Sequence, residues 1–455
     1  MSLDSLREQV RGQVFTDGDE GYGEARSVYN GMIDKRPAVV IGAVDDADVI
    51  AGVRYASDSG LDLSIRGGGH SVPGFGTNDD GVVIDLGAMK GIRVDPEART
   101  VRAQGGATWG DLDHATHPFG LATTGGIIST TGIAGLTLGG GIGYLTRGHG
   151  LSVDNLISVD VVTADGSLVH ASDDENSDLF WAVRGGGGNF GVLTNLEYRL
   201  HPVDMIYGGP MFFEVDSARD VLNLYREFIA DAPEKFGGFF GWQIAPPLPF
   251  IPEDRHGDTF CMIVSCWTGP LDDAESVLKP FRDVAPVIAE HVGPAPYPAL
   301  NSAFDALLPP GLQHYWKANY AVEITDDAVD VHLEHGPQVP TMQSTVHLYP
   351  INGACHRVAS DATAFGHRDA SFAPVIAGMW EDPADNEANT AWVRNYAAAL
   401  APHSKEGGYI NFMAADDQGR AAANYGANYD RLVEVKTEYD STNLFHMNQN
   451  IVPAE

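Results

Sequence analysis

Glycine is concentrated in one stretch of this chain. The sequence holds 53 glycines in 455 residues, more than the roughly 7% that is usual, and they cluster in RGGGHSVPGFG at 66–76, in the stretch 125–143 and in RGGGGNFG at 184–191. Glycine lets a backbone approach a ligand closely and point its amides at phosphate or carbonyl oxygens. Three such blocks favour an extended, polyanionic ligand such as a dinucleotide. The alternative is a compact sheet structure that merely needs tight turns.

Short strand-like segments separate these blocks and predict an α+β fold. They lie at 81–86, 100–106, 155–171 and 191–200, and a helix with an N-cap-like Asp precedes them at 45–60. After about residue 205 the glycine density falls, and strand-like runs alternate with longer amphipathic helices such as 218–233 and 389–400. A chain of 455 residues is also long for a single core. Two domains are therefore expected.

The last glycine block contains a motif that is misleading in its context. Gly186, Gly188 and Gly191 satisfy the G-x-G-x-x-G dinucleotide fingerprint, which requires a strand before it and a helix opening within it. Here VLTNLEYRL follows, which is strand-like. The pattern therefore predicts a dinucleotide-binding fold other than the Rossmann fold.

Charge and cysteine content limit the partners and the compartment. The chain has 62 acidic and 28 basic residues, a net charge of −34, which excludes nucleic acid and anionic membrane surfaces as partners. Either a salt-adapted acidic shell or an ordinary acidic enzyme accounts for this balance. Three cysteines, and no basic start followed by an apolar run, predict a reducing cytoplasm. Cys261 and Cys266 are interpreted as buried small hydrophobes.

His70 is the candidate nucleophile within the first block. It lies in RGGGHS, where no local apolar pattern exists to bury it. Neutral imidazole can attack an electrophilic cofactor carbon. A histidine on such an open loop therefore indicates a cofactor site.

Four segments resemble a known family. RGGGHS, STTGIAGLTLGGGIGYLTRGHGLSVDN, DLFWAVRGGGGNFGV and YDSTNLFHMNQNI resemble the flavin-linked oxidases related to berberine bridge enzyme, within the vanillyl-alcohol oxidase superfamily. The resemblance implies a PCMH-type FAD-binding domain of two small α/β subdomains at 1–203. It also implies a substrate domain at 204–404, with an antiparallel sheet covered by helices, and a segment 405–455 that returns to the FAD domain.

The resemblance implies that FAD is attached covalently and only once. The histidine of the R-G-G-G-H-S motif carries the flavin 8α-methyl group in this family, so His70 is the expected attachment point. Ile128 stands where many relatives have a second attaching cysteine. Thr131 matches the position that controls oxygen access, and Leu136 replaces a histidine that contacts the ribityl chain in some plant members. A small threonine suits an enzyme that reacts with dioxygen.

The resemblance also implies a set of cofactor contacts made largely by backbone amides. The expected cofactor-binding residues, besides His70, Ile128 and Thr131, are Arg66, Gly67, Gly68, Gly69 and Ser71 near the pyrophosphate, Gly132 and Gly143 near the ribityl and adenosine portions, Gly191 and Val192 near the adenine, and Asn448 and Asn450 near the isoalloxazine edge.

Candidate catalytic residues lie in two further segments. Tyr409, in GGYINF, matches the family's Y-x-N strand and is the expected base that takes a proton while a hydride leaves a C–H bond. A tyrosine titrates near pH 10, so this role requires a neighbour that lowers its pKa, such as Lys436, Arg431 or a histidine. Alternation along 344–354 puts His347 and Tyr349 on one strand face, where they are expected to line the substrate site.

One pair of histidines has a spacing that could bind a metal ion. His332 and His335 stand at i, i+3, but no third ligand cluster accompanies them. We expect this pair to be exposed, and no metal site is predicted.

The expected function is therefore a covalent-FAD oxidase. It would act on a small alcohol, amine or phenolic substrate and pass the electrons to dioxygen, giving hydrogen peroxide. One alternative is an oxidative cyclase or oxygenating tailoring enzyme of secondary metabolism, and a second is a non-catalytic flavin-binding redox protein. A monomer or a homodimer is expected.

Overall fold

Two small sheets form the N-terminal half. A computed structural model describes residues 1–454, apart from the side chain of Gln418. The first sheet has the order β1-β2-β4-β3, with β2, β3 and β4 parallel. Its strands are β1 (Gln13–Phe15), β2 (Val39–Gly42), β3 (Leu63–Arg66) and β4 (Val82–Asp85). The helices of this part are α1 (Leu3–Gln9), α2 (Tyr22–Ala25) and α3 (Asp46–Ser59). As the sequence predicts, Asp45 caps α3 by accepting from the amide of Asp48.

The second sheet is antiparallel and has the order β5-β6-β10-β8-β9. Its strands are β5 (Ile92–Asp95), β6 (Thr100–Gln104), β8 (Leu156–Val162), β9 (Leu168–Ser172) and β10 (Val192–Arg199), and beside it β7 (Leu121–Ala122) pairs with β11 (His201–Pro202). The helices here are α4 (Trp109–Thr116), α5 (Ile133–Leu138), α6 (Thr146–His149) and α7 (Ser177–Val183). A strand, β10, follows Gly191, so the rejection of a Rossmann fold is confirmed.

The C-terminal half contains one large sheet covered by helices. Its path is β15-β12-β14-β13-β18-β19-β17, and β16 also pairs with β12. The strands are β12 (Met205–Phe213), β13 (Phe236–Ile244), β14 (Thr259–Trp267), β15 (Val287–Glu290), β16 (Gly293–Pro296), β17 (Gln313–Ala318), β18 (Thr345–Pro350) and β19 (Phe372–Trp380). The helices are α8 (Ala218–Asp231), α9 (Ala274–Val284), α10 (Tyr297–Asn301), α11 (Asp326–His335), α12 (Asn386–Leu400), α13 (Ala421–Tyr425) and α14 (Tyr429–Tyr439). The predicted α+β architecture is confirmed.

The large sheet has two differently used faces. Val346 and Leu348 of β18 share a buried core with helices α8, α9, α11 and α12. Tyr349 belongs to a second core, on the opposite face, together with Ile127 and Ile142 of the glycine-rich region. Side chains alternate along a strand, so one face packs on helices and the other packs on the first half of the chain.

Buried polar contacts join the two halves. The guanidinium of Arg147, in α6, donates to Asn352 Oδ1 at 2.7 Å and to the Phe236 carbonyl at 2.6 Å. Arg368 forms a buried, bidentate ion pair with Asp154 at 2.7 and 2.8 Å. Each charge is neutralised or fully hydrogen-bonded, as burial requires. At the C-terminus α14 packs on α7, so the chain returns to the glycine-rich half.

Two expectations about side chains have different outcomes. All three cysteines are buried thiols, as interpreted for Cys261 and Cys266. The expected exposure of the histidine pair is wrong for His332, which is buried, with Nδ1 2.6 Å from the Tyr396 hydroxyl. Tyr396, a residue of the helix-covered core, contacts both histidines, because its hydroxyl bonds to His332 and its ring stacks on His335, which is partly exposed. Across the described residues, no helix has both the length and the apolar character that a membrane span requires.

Candidate active site

Two glycine loops interlock at the centre of the molecule. An added Cβ on Gly68, after β3, would lie 2.3 Å from the amide nitrogen of Gly132, and one on Gly132 would lie 2.4 Å from that of Gly68. Backbone atoms cannot yield as the end of a flexible side chain can. Both positions therefore require glycine, because only bare Cα atoms allow the 66–71 loop and the 125–132 loop to touch.

The first loop keeps its amides free for a ligand. Within the described chain, the N–H groups of Gly68, Gly69, His70 and Ser71 donate to no backbone or side-chain acceptor. Arg66 is buried, and its guanidinium is already hydrogen-bonded within the protein. It donates to Asp85 at 2.7 Å and to the Ser27 carbonyl at 2.8 Å. The arginine thus shapes the loop, while the amides are available to an anion.

One cavity extends from these loops to the face of the large sheet that packs on the first half of the chain. Most of the site residues expected from the sequence line it, namely Arg66, Gly67, Gly68, Gly69, His70, Ser71, Ile128, Thr131, Gly132, Leu136, Gly191, His347, Tyr349 and Asn448. The far wall comes from β17, β18 and β19, whose alternate residues face inward. The cavity therefore brings together two sets of residues that lie far apart in the sequence.

Four of the expected residues do not line this cavity. Gly143 packs against the Gly125 carbonyl, which a Cβ would meet at 1.8 Å. Val192 pairs with Val162 in the second sheet and is buried in the core of the first. Asn450 and Tyr409 do not contribute to the lining either. Gly143 therefore packs between two backbone segments, and Val192 packs in the core.

His70 is held rigidly against the wall of the cavity. Its ring stacks on Tyr29 with centroids 3.8 Å apart, and its Nε2 lies 3.1 Å from the Thr130 hydroxyl. Burial lowers the pKa of His70 to about 4, although a hydrogen bond to Thr130 opposes the shift. The imidazole is therefore neutral near pH 7 and retains a lone pair.

His347 and Tyr349 form a pair on the opposite wall. Nδ1 of His347 lies 2.7 Å from the Tyr349 hydroxyl, as the predicted alternation along β18 allows. Nε2 of His347 is buried and has no partner among the described residues. Burial lowers the pKa of His347 to about 3 and raises that of Tyr349. The pair is uncharged and offers one free ring nitrogen.

Tyr409 occupies a different setting from the expected one. The segment Ile410–Phe412 is a 3₁₀ turn rather than the expected strand. The Tyr409 hydroxyl accepts from the Gly141 amide and from Asn411 Nδ2, both at 2.8 Å. Burial raises the pKa of Tyr409 to about 12, and these donors only partly offset the increase.

The cations expected to assist Tyr409 are engaged elsewhere. Lys436 is buried and donates to Asp440 and to the carbonyls of Asn189 and Phe445. Arg431 lies over the Trp181 ring, 3.9 Å from its centroid. The expectation that one of them lowers the pKa of Tyr409 is wrong, because each is drawn to a partner in the glycine-rich half.

The cavity also contains residues that the sequence did not single out. His314 of β17 is buried, and both of its ring nitrogens lack partners among the described residues. Burial lowers its pKa to about 3. Asn30 places it, because Asn30 Nδ2 bonds to the carbonyls of His314 and Val72 and Oδ1 accepts from the His314 amide. The two contacts between Asn30 and His314 span 284 residues, so no local pattern marks them.

The C-terminal segment closes the cavity with unpaired amides. Asn448 and Gln449 line it. Both amide atoms of Gln449 and the Oδ1 atoms of Asn448 and Asn450 are buried without partners in the described chain. Buried amides normally have hydrogen-bond partners. This cluster therefore fits a ligand edge that presents both donors and acceptors.

Comparisons with known proteins agree with this site. A family model described as "FAD binding domain" matches residues 37–172, and one described as "Berberine and berberine like" matches residues 408–452. The FAD-linked oxidoreductase pgmH of Aspergillus terreus is 30% identical, with 99% of this chain and 96% of that protein covered.

Solved structures share the fold. The 6-hydroxy-D-nicotine oxidase of Arthrobacter nicotinovorans superposes with a TM-score of 0.84 at 26% identity, covering 98% of each chain. The berberine bridge enzyme of Eschscholzia californica gives a TM-score of 0.87 at 20% identity, covering 99% of each chain, and this likeness supports the fold alone.

The residues present fit FAD. The free amides of the 66–71 loop suit a pyrophosphate, and the unpaired amides at Asn448 and Gln449 suit a flavin edge. No lysine lines the cavity among the described residues. Backbone dipoles, rather than a field of cationic side chains, would therefore hold the anion.

The glycine interlock makes a direct prediction. Gly68→Ala or Gly132→Ala should destabilise the protein by about 1–3 kcal/mol or more, because the methyl group meets backbone, and should reduce flavin retention. Thermal unfolding and the ratio of flavin to protein absorbance measure both effects. Gly23→Ala is the matched control, since nothing lies within 4 Å of a Cβ there. Equal flavin content in all three variants would contradict the close contact.

The buried imidazoles predict acid sensitivity. Unfolded histidine takes up a proton near pH 6.5, whereas folded His314 resists protonation down to about pH 3. Stability is therefore lost as the pH falls below about 6.5. Between pH 7 and pH 5, His314→Gln should lose roughly 2 kcal/mol less than wild type. Urea unfolding at both pH values measures this difference, and an identical loss in the two proteins would contradict the burial of a neutral His314.

Proposed function

Because this chain belongs to the FAD-linked oxidoreductases with a berberine-like C-terminal domain, we propose that it oxidises a small alcohol, amine or phenolic substrate with dioxygen, releasing hydrogen peroxide. Bound FAD supplies the hydride acceptor. One observation carries the proposal: a single cavity joins the amide-lined loop of His70 to the wall of His347 and Tyr349. Cofactor and substrate can meet there. The name of 6-hydroxy-D-nicotine oxidase, a relative over the whole chain, supports oxidase chemistry.

A single covalent bond from His70 to FAD is part of the proposal. A neutral imidazole fixed by Tyr29 and Thr130 is suited to act as a nucleophile. Ile128 lines the cavity at the position where a second link would need a cysteine. Cys261, Cys266 and Cys355 are buried away from this lining. These contacts support one attachment and give no support to a second.

His347 is the proposed proton acceptor. A substrate hydroxyl can donate to its free Nε2, while the Tyr349 hydroxyl 2.7 Å from Nδ1 keeps the ring in place. A buried imidazole of low pKa is a weak base, but a hydroxyl proton becomes far more acidic as the neighbouring carbon loses hydride. The charge therefore appears on His347 only as the reaction proceeds.

Tyr409 is better suited to positioning than to proton removal. Its oxygen accepts from Asn411 Nδ2, and Asn411 lines the cavity. Its phenol remains protonated near neutral pH, because burial raises its pKa. We therefore assign Tyr409 the role of fixing Asn411 and the Gly141 backbone, in place of the base role expected from the sequence.

The test of the function is flavin bleaching without oxygen. The holoenzyme is mixed anaerobically with separate panels of alcohols, amines and phenols, and the flavin absorbance is followed. A substrate should bleach it, and admission of air should restore the colour with one peroxide per substrate consumed. Bleaching without peroxide on reoxidation would indicate a dehydrogenase instead. His347→Gln should lower the bleaching rate by about 10²–10⁴-fold.

The covalent link has its own test. After acid precipitation, wild-type flavin should remain with the protein pellet, whereas the flavin of His70→Ala should stay in the supernatant. His314→Gln, which changes another histidine of the same cavity, is the matched control and should keep its flavin bound. Flavin retained in the pellet of His70→Ala would overturn the single attachment.

A further inference from the structure

The substrate end of the cavity is a slot built on three strands. Ala377 of the central strand β19 pairs with Trp316 of β17 on one side and with Thr345 of β18 on the other. One step along, Val375 pairs with His347. The two outer strands are separated by two strand spacings, about 9.6 Å. Small side chains thus form the floor, and larger ones form the walls.

Aromatic rings border this slot. The Phe412 ring lies 5.8 Å from that of Trp316 and 5.9 Å from that of Tyr349, and all three residues line the cavity. Aromatic rings pack against other rings in offset or edge-on contacts worth about 0.5–1.5 kcal/mol beyond area burial. A flat, unsaturated ligand is the shape that packs best against such a border.

No side chain in the slot can balance a charge. Arg66 is the one charged residue of the cavity lining in the described chain, and Asp85 already neutralises it. No aspartate, glutamate or lysine of the described residues lines the cavity. Burial lowers the pKa of His347 and His314 to about 3, so both are neutral at pH 7. Burying an ammonium or a carboxylate without a partner is strongly unfavourable.

Several polar atoms on the wall lack partners in the described chain, namely Nε2 of His347, the indole N–H of Trp316 and both ring nitrogens of His314. Nε2 of His347 is buried and unpaired within the described chain, whereas Nδ1 is engaged by Tyr349. A neutral hydroxyl can bond to this nitrogen without bringing charge into the slot. The Thr345 hydroxyl is already engaged within the protein, because it donates to the Trp242 carbonyl at 2.9 Å.

We infer that the substrate is an uncharged, planar aromatic alcohol or phenol, with its ring in the slot between Trp316 and His347 and its hydroxyl on Nε2 of His347. This inference rests on the proposed function and narrows its substrate class, because it excludes protonated amines. The acidic surface, with a net charge of −34, attracts cations to the outside of the protein. Binding of a cation in the slot is nevertheless unfavourable, because no acidic side chain of the described residues lines it.

The test compares three ligands that share one ring. The holoenzyme is titrated at pH 7 with 4-(hydroxymethyl)phenol, which is neutral, 4-hydroxybenzylamine, a cation, and 4-hydroxybenzoate, an anion. Calorimetry and perturbation of the flavin spectrum report dissociation constants. The neutral compound should bind at least about tenfold more tightly than either ion. Equal or tighter binding of an ion, or no binding of the neutral compound at millimolar concentration, would overturn the inference.

This design separates the inference from the proposed oxidation. If the neutral compound binds preferentially but no member of the alcohol, amine and phenol panels bleaches the flavin, the inference about the slot is supported and the proposed oxidation fails. If 4-hydroxybenzylamine alone binds and bleaches the flavin, oxidase activity is supported and the inference is overturned.

Variants test the placement of the ring. Trp316→Leu should weaken binding of 4-(hydroxymethyl)phenol by about tenfold or more, with circular dichroism confirming that the protein is folded. Trp392→Leu is the control, because Trp392 lies on α12, away from the cavity lining. Thr345→Asp should shift the preference toward 4-hydroxybenzylamine by placing a carboxylate in the slot. Unchanged binding by folded Trp316→Leu would overturn the placement.

Discussion

The contact between Gly68 and Gly132 is the constraint on which the site depends. Gly68 follows a strand of the first sheet, and Gly132 precedes α5, whose Ile133 packs in the core of the second. Their backbones meet at a distance that leaves no room for a Cβ. Because this contact fixes one small sheet against the other, it also fixes His70 beside Thr130 and Thr131.

The substrate sheet is attached to this centre by buried polar groups rather than by apolar contact alone. Asn30 bonds to both the His70 loop and β17, Arg147 donates to the loop before β13 and to Asn352 after β18, and Asp154 pairs with Arg368. Apolar packing tolerates sliding, whereas a buried hydrogen bond is satisfied in only one arrangement. Such contacts therefore set the register between the glycine loops and the inward face of the sheet. Hydride transfer requires this kind of positional accuracy, because reacting atoms must approach closely.

Local patterns predicted what depends on local structure. The cap and helix at 45–60, the strand after Gly191 and the shared face of His347 and Tyr349 follow from periodicity and turn residues. The environment of Tyr409 does not, because a 3₁₀ turn directs its hydroxyl to Gly141, 268 residues away. His314 escaped prediction for the same reason, since only Asn30, distant in sequence, makes it part of the site. The motif resemblance located the cofactor loop. Packing between segments that are distant in the sequence determines which residues face the cavity, and no local pattern records that packing.

Net charge and local field are separate properties in this protein. A chain with a charge of −34 would be expected to repel an anionic cofactor. The cavity avoids this conflict, because no acidic residue of the described chain lines it, and its one charged side chain, Arg66, is already paired with Asp85. Fixed dipoles act strongly at contact distance and weakly beyond it, whereas solvent and salt screen the surface carboxylates. The acidic exterior therefore influences which molecules approach the protein, and the cavity, whose one charged side chain in the described chain is already paired, selects which of them bind.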